Sequence, residues 1–295
     1  MVGPASARRS VRIVDYLVDQ FDRFTLNSVP VVRPGIDPRI IEIFRDSEVD
    51  GRGWCLRLPI RALLGFEDPR EEVNRLLDLI QASPRSVDMV VDHQYMPQVL
   101  GFGARHVMSA IEELPYLSMW RSVIILGTVI PKTLAKFPED CITILRRHEW
   151  ELWHDLQTLG ISRVPTLGDY AVQNPERPKK GGGWKELRAN IRYSTPQRVL
   201  MARGRAVAEY CPGEYRKVAA MLVAHHEFRE ISWGDRQIRQ CADGLCDPGK
   251  QEKWRAVGTS HHISVMLDAL ANLPTPSKAG DGINPSAVTV DLESL

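Results

Sequence analysis

The chain has 295 residues and a formal net charge of +1. That length allows a sizeable core, and the near-zero charge excludes a global field that would draw the protein to nucleic acid or anionic lipid. Apolar residues at 43% and charged residues at 25% are ordinary for a globular protein.

The start, MVGPASARRS, carries two arginines, but the segment after it is amphipathic rather than uniformly apolar and does not read as a signal peptide. Residues 10–24 put Ile13, Leu17 and Phe21 on one helical face. Short apolar runs predict strands at 29–33, 54–58, 87–91, 122–127, 141–145, 164–167, 189–193 and 199–202. Between them, helical periodicity predicts helices at 68–81, 103–114, 150–159 and 211–226, and then at 262–273 before Pro274. Asp68 and Pro69 suit an N-cap and a first-turn proline. The run 122–130 is too short to span a membrane and reads as a buried strand. Residues 174–185 (NPERPKKGGGWK) read as a mobile loop, and 274–295 as a disordered tail.

Nearly continuous apolar strands alternating with helices argue for a parallel sheet covered on both faces. Eight such strands fit a single α/β domain over 1–273, barrel-like in the (β/α)8 sense. A doubly wound parallel sheet is the alternative. Five scattered cysteines, Cys55, Cys141, Cys211, Cys241 and Cys246, make no disulfide framework. The CADGLC spacing lacks a second ligand pair for zinc. Reduced thiols and a cytoplasmic location are expected.

Polar residues gather where apolar strands end. Arg57 lies in WCLRLP, and Asp92 ends VDMVVD just before His93. Arg147 and Glu149 follow CITIL, Asp169 and Tyr170 end VPTLGDY, and Arg192 and Tyr193 end ANIRY. In a barrel these ends converge on one mouth. A lone charge at a strand end is more often solvated or half of a salt bridge; several together raise the chance of a shared site. A second group lies in RYSTP, ARGR (with Arg203), SWGD (with Asp235) and WRAVGTSHHI (with His261 and His262). Guanidinium forks suit carboxylate or phosphate. Gly258, Thr259 and Ser260, placed before the last predicted helix, would offer free amides to an anion or a plain N-cap. Each adjacent histidine pair, His225–His226 and His261–His262, should turn one side chain inward, since helical neighbours point about 100° apart. The phosphate-loop, dinucleotide and nucleophile-elbow patterns are absent, and HEWELWH has its histidines six apart, not four. No cofactor is indicated. Asp92, Glu149 and Asp169 are the oxygen donors a hard cation would use, but no metal is assigned.

In order, R-x-E-W (Arg147, Glu149, Trp150), G-D-Y (Gly168 to Tyr170), N-I-R-Y (Asn190 to Tyr193), A-R-G (Ala202 to Gly204), S-W-G-D (Ser232 to Asp235) and W-R-x-x-G-T-x-H-H (Trp254 to His262) resemble the Beta protein family, named for a phage protein. The resemblance spans residues 28–273. Family members carry more chain before this point, resembling further strands, so the resemblance implies a barrel incomplete at its N-terminus. It brings no established activity.

Three readings are weighed, one of them a structural ion network with function on the surface loops. In the first, an anion-binding protein of a phage or mobile element senses a small anion or a protein partner through Arg57, Asp92, Arg147, Arg192, Tyr193 and Arg203. In the second, an enzyme acts on a phosphate- or carboxylate-bearing substrate, with Glu149, Asp169 or Asp235 as acid or base and His261 or His262 assisting. The lack of a complete catalytic motif favours the first.

Overall fold

A computed structural model of the chain describes residues 4–25, 28–46, 52–63, 69–97, 103–176, 187–207 and 212–273. The loop expected at 174–185 lies outside these residues beyond 176, as do Asp68, Cys211 and the expected tail from 274. The chain clusters into two compact units, Met1–Val129 with His148–Tyr170, and Ile130–Arg147 with Ala171–Leu295.

The first unit holds α1 (Pro4–Arg23), β1 (Val31–Val32), α2 (Pro38–Asp46), β2 (Trp54–Pro59), α3 (Ile60–Leu63), α4 (Pro69–Ile80), β3 (Val87–Tyr95), α5 (Gly103–Glu112), β4 (Ser122–Thr128), α6 (His148–Thr158) and β6 (Thr166–Asp169). Its strands form one parallel sheet in the order β1-β2-β3-β4-β6. The apolar strand runs have the expected consequence: Met89, Val90 and Val91 are all buried, so both faces of β3 are covered. Helix α4 turns Val73, Leu76, Leu77 and Ile80 inward, and α5 does the same with Val107, Ala110 and Ile111.

The second unit holds β5 (Cys141–Arg146), β7 (Leu187–Ser194), β8 (Arg198–Val207), α7 (Pro212–Val223), α8 (Trp233–Ala242) and α9 (Gln251–Ala271). Its sheet is antiparallel, in the order β5-β8-β7. Only Thr195, Pro196 and Gln197 join β7 to β8, and Thr195 closes the turn by donating its N–H to the Arg198 carbonyl at 2.7 Å. A parallel pair would need a crossover of a dozen or more residues. Ile191, Leu200, Leu222, Ile238 and Val257 form the core with Tyr215 and Trp254, whose rings stack 5.1 Å apart.

The eight strands expected from the sequence all form. A closed barrel does not form among the described residues, because the strands divide between a parallel and an antiparallel sheet. The open parallel sheet agrees with the doubly wound alternative in class, although its strand order runs without the reversal that marks a switch point. A second correction concerns the last helix. It begins at Gln251, so Gly258, Thr259 and Ser260 sit in its middle and their amides serve the helix.

Gly234 shows how closely α8 and α9 approach. A Cβ there would stand 2.2 Å from the Val257 carbonyl oxygen, a backbone atom that cannot swing aside. In an exposed helix, glycine to alanine stabilises by about 1 kcal/mol. Here the sign reverses: Gly234→Ala should destabilise by about 1–3 kcal/mol, the usual cost of overpacking. Urea unfolding of the variant checks this.

Candidate functional site

In a parallel sheet, side chains two residues apart share a face. Arg57 pairs in register with Val90, and Asp92 lies two residues further along β3, so both reach the same face at the strand ends. Arg57 donates to Asp92 Oδ2 through Nε at 2.9 Å and Nη2 at 2.6 Å. Gly168 of β6 pairs with Leu126, and two residues later Tyr170 comes back over that face. Its hydroxyl donates to Asp92 Oδ1 at 2.7 Å and accepts from Arg57, whose guanidinium sits 5.3 Å from the ring centre. The Gln94 N–H also donates to Oδ1 at 2.9 Å. Asp92 is buried while the Arg57 side chain stays 32% exposed, so the guanidinium is the part of this cluster that solvent can reach. Burial and then the Asp92 contact push the Tyr170 phenol up.

The Asp92 oxygens are thus committed to Arg57, Tyr170 and Gln94. Among the described residues Asp92, Glu149 and Asp169 do not converge as a metal-ligand group. Glu149 is buried on α6, and Asp169 ends β6 opposite Gly127. His93, beside Asp92, is 7% exposed, and neither of its ring nitrogens has a hydrogen-bond partner among the described residues. Burial holds its pKa down at about 4 against an ordinary 6.5.

In the second unit the arginines differ sharply. Arg147 is buried and donates to the Thr195 and Pro196 carbonyls at 3.4 and 3.3 Å. Arg203 is buried, donates to the Leu134 and Phe137 carbonyls, and lies 3.8 Å from Glu139. Arg192 is half-buried on β7 and donates to the Val172 carbonyl, and no carboxylate pairs with it among the described residues. Burial, then the repulsion of Arg255, hold its pKa down at about 10. Gly258 allows the approach of α9, since a Cβ there would lie 2.9 Å from the Arg192 carbonyl oxygen. Arg255 stands one turn earlier on the same helix face.

Tyr193, Asp235, His261 and His262 meet in the core of this unit. Ser232 caps α8: its hydroxyl accepts from the Asp235 N–H at 3.1 Å and donates to Oδ2 at 2.7 Å. The Ile231 N–H donates to the same oxygen at 3.0 Å. Oδ1 faces His261 Nδ1 at 2.7 Å, a close contact in which neither atom completes a well-aligned hydrogen bond. His261 Nε2 lies 2.7 Å from the Ser194 carbonyl, an acceptor only, so that nitrogen carries a hydrogen. His262 Nδ1 is 2.8 Å from the Ser194 hydroxyl. The Tyr193 ring stacks on His261 at 3.7 Å, and its hydroxyl accepts from the Arg229 N–H at 2.7 Å. All four sequence-predicted residues are buried. The expectation that only one of His261 and His262 points inward is corrected, because α9 packs against both β7 and α8.

Two residues that the sequence reading quoted were not chosen as site residues. Arg255 stands in the W-R motif, but the misplaced start of α9 hid its place on a helix facing Arg192. His93 stood next to a chosen carboxylate, and its only signal was its place at the end of a continuous apolar run.

The fold and these clusters define a mixed α/β protein with a parallel sheet whose strand ends carry interacting charged side chains. A family model described as Beta protein matches residues 5–268, most of the chain. The chain belongs to that family, and the match takes in α1, upstream of residue 28 where the quoted motifs begin. No curated protein and no solved structure matches. Among the described residues no helix is long and apolar enough to cross a membrane.

Proposed function

We propose that this phage-type protein binds a small anion, or an anionic group of a protein partner, at Arg192 and Arg255 and acts as a sensor rather than a catalyst. One observation carries the reading: a half-buried guanidinium held by a backbone carbonyl, without a carboxylate among the described residues and facing a second arginine. Two cations brought together repel, and an anion between them relieves that repulsion. The buried pairing of Asp235, His261 and His262 weighs against their use as acids or bases on a substrate. The described cysteines are free thiols, which suits the cytoplasm.

A phosphate contact from Arg192 is worth roughly 1.5–3 kcal/mol as a charged hydrogen bond. Lysine keeps the charge and loses the fork. Calorimetry with inorganic phosphate, nucleotides and small carboxylates should therefore show binding that weakens in Arg192→Lys, weakens further in Arg192→Ala, and falls in Arg255→Ala. Absence of binding by the parent, or equal binding by all four proteins, removes the proposal.

An enzymatic reading, acid–base or metal-assisted, draws on the other cluster. There a partly exposed Arg57 and the Tyr170 phenol are fixed by buried Asp92 at strand ends, with Glu149 and Asp169 on neighbouring elements. An Arg57→Ala variant that retains anion binding would direct attention there.

A further inference from the structure

The turn between α7 and α8 brings together three donors that neither cluster above uses. His225, His226 and Glu227 each present one ligand atom, all within 4.8 Å of one another, and they are the group of three such donors found among the described residues. The turn is tightly made: the His225 N–H donates to the Leu222 carbonyl at 3.0 Å, and the Phe228 N–H donates to the His225 carbonyl at 2.9 Å. This reversal folds consecutive side chains to one side, as an extended chain would not, and the two imidazole rings stack with centres 4.5 Å apart.

Glu227 supplies an independent observation. Its Oε2 is buried and has no hydrogen-bond partner among the described residues. A buried carboxylate oxygen without a donor is costly, and a cation is one remedy. The Glu227 N–H donates to His225 Nδ1 at a long 3.2 Å, so that nitrogen holds a lone pair. A cation at Nδ1 would replace this weak bond, while one at Nε2 would require the other tautomer. His226 is exposed, which gives an ion a route in and leaves room for water as a further ligand.

We infer that His225, His226 and Glu227 bind a divalent transition-metal ion of the zinc class. Two imidazoles and one carboxylate are borderline donors that suit Zn²⁺, Co²⁺, Ni²⁺ or Cu²⁺ better than Mg²⁺ or Ca²⁺. Ligand atoms about 2.0–2.2 Å from one ion lie roughly 3–4 Å apart, so the donors need to close by about an ångström. On a surface turn, side-chain rotation suffices. The ion would fasten the turn whose Arg229 backbone holds the Tyr193 hydroxyl, and Tyr193 stacks on His261. Bound metal therefore pins the α7–α8 connection onto the core of its own unit.

The test uses the full chain. Zn²⁺ calorimetry should give one ion per chain. Co²⁺ should develop visible ligand-field bands that Zn²⁺ abolishes. His226→Ala and Glu227→Gln should each weaken uptake by at least roughly tenfold, the lower end for disturbed metal sites. Zn²⁺ should raise the thermal midpoint of the parent and not of the variants. His226 is exposed and the glutamine is isosteric, so the ion-free midpoints should match the parent's. No uptake by the parent, or uptake that both variants retain, overturns the site.

Discussion

Lowering the pH from 6.5 to about 4 should remove roughly 3 kcal/mol of folding stability through His93 alone. His93 is buried beside Asp92 with no hydrogen-bond partner for either ring nitrogen among the described residues, and burial drops its pKa from 6.5 to about 4, with Asp92 opposing. Above pH 6.5 the imidazole is neutral in both the folded and unfolded chain, so its contribution is fully present. Between 6.5 and about 4 the unfolded chain takes up a proton that the folded chain refuses, and stability falls by up to about 1.4 kcal/mol per pH unit. Below about 4 both states are protonated and the loss is complete. Urea denaturation across this range, compared between the parent and His93→Leu, isolates the contribution. Any packing difference made by the substitution is an offset independent of pH, whereas the difference in slope belongs to the imidazole. Parallel pH profiles for the two proteins would show that His93 is solvated or partnered and would defeat the prediction.

Local sequence pattern revealed the elements well and their pairing poorly. The run 87–91 became β3, and residues 103–114 contained α5, because burial of a continuous or periodic apolar set is a local property. Pairing direction is not local, yet one clue was present: the predicted strands at 189–193 and 199–202 stand too close for a parallel crossover and demanded a hairpin. Helix α8 was missed because SWGDRQIRQC is mostly polar; its inward set is small and includes Asp235. Ser232 and Asp235 nonetheless form an S-x-x-D capping pattern, legible in the sequence, while Asp235 was read as a candidate acid or base. In α9, Gly258 and Thr259 looked like a helix start, since glycine and β-branched residues are weak helix formers. Packing overrode propensity, because glycine is what the close approach to β7 requires. The cluster of Arg57, Asp92 and Tyr170 was legible because each lies in the C-terminal half of, or just after, a strand of one parallel sheet. The pairing of Arg192 with Arg255 was not, since nothing local announces which charge lacks a counter-ion.

The largest single loss of stability is expected from Asp235→Ala, about 3–5 kcal/mol, the cost of stranding one member of a buried charged pair. Asp235 and His261 are 0% and 1% exposed in their side chains and lie 2.7 Å apart. Burial pushes the Asp235 carboxyl up, but His261, the Ser232 hydroxyl and the Ile231 N–H outweigh it and leave the group below its usual range. Its contribution is thus present above the ordinary carboxylate pKa of 3.8 and is lost as pH falls through the lower folded value, a more acidic window than that of His93. Truncation to alanine removes three partners at once: Ser232 loses its acceptor, Ile231 N–H loses its cap, and His261 keeps only the Ser194 carbonyl. His261→Ala should also be costly, because it strips the carboxylate of its imidazole neighbour and Tyr193 of a stacked ring. The two losses overlap. Once His261 is gone, the carboxylate is the stranded group, and removing it recovers part of the penalty. The doubly substituted chain should therefore be more stable than the sum of the single losses by roughly 1–3 kcal/mol, as contacting pairs are. Urea unfolding of the four proteins at neutral pH measures this coupling. A loss below about 1 kcal/mol for Asp235→Ala, or strict additivity in the double variant, would mean that the pair is no more than a surface-grade contact and that α8 and α9 are held together by Ile238, Val257 and Trp254 instead.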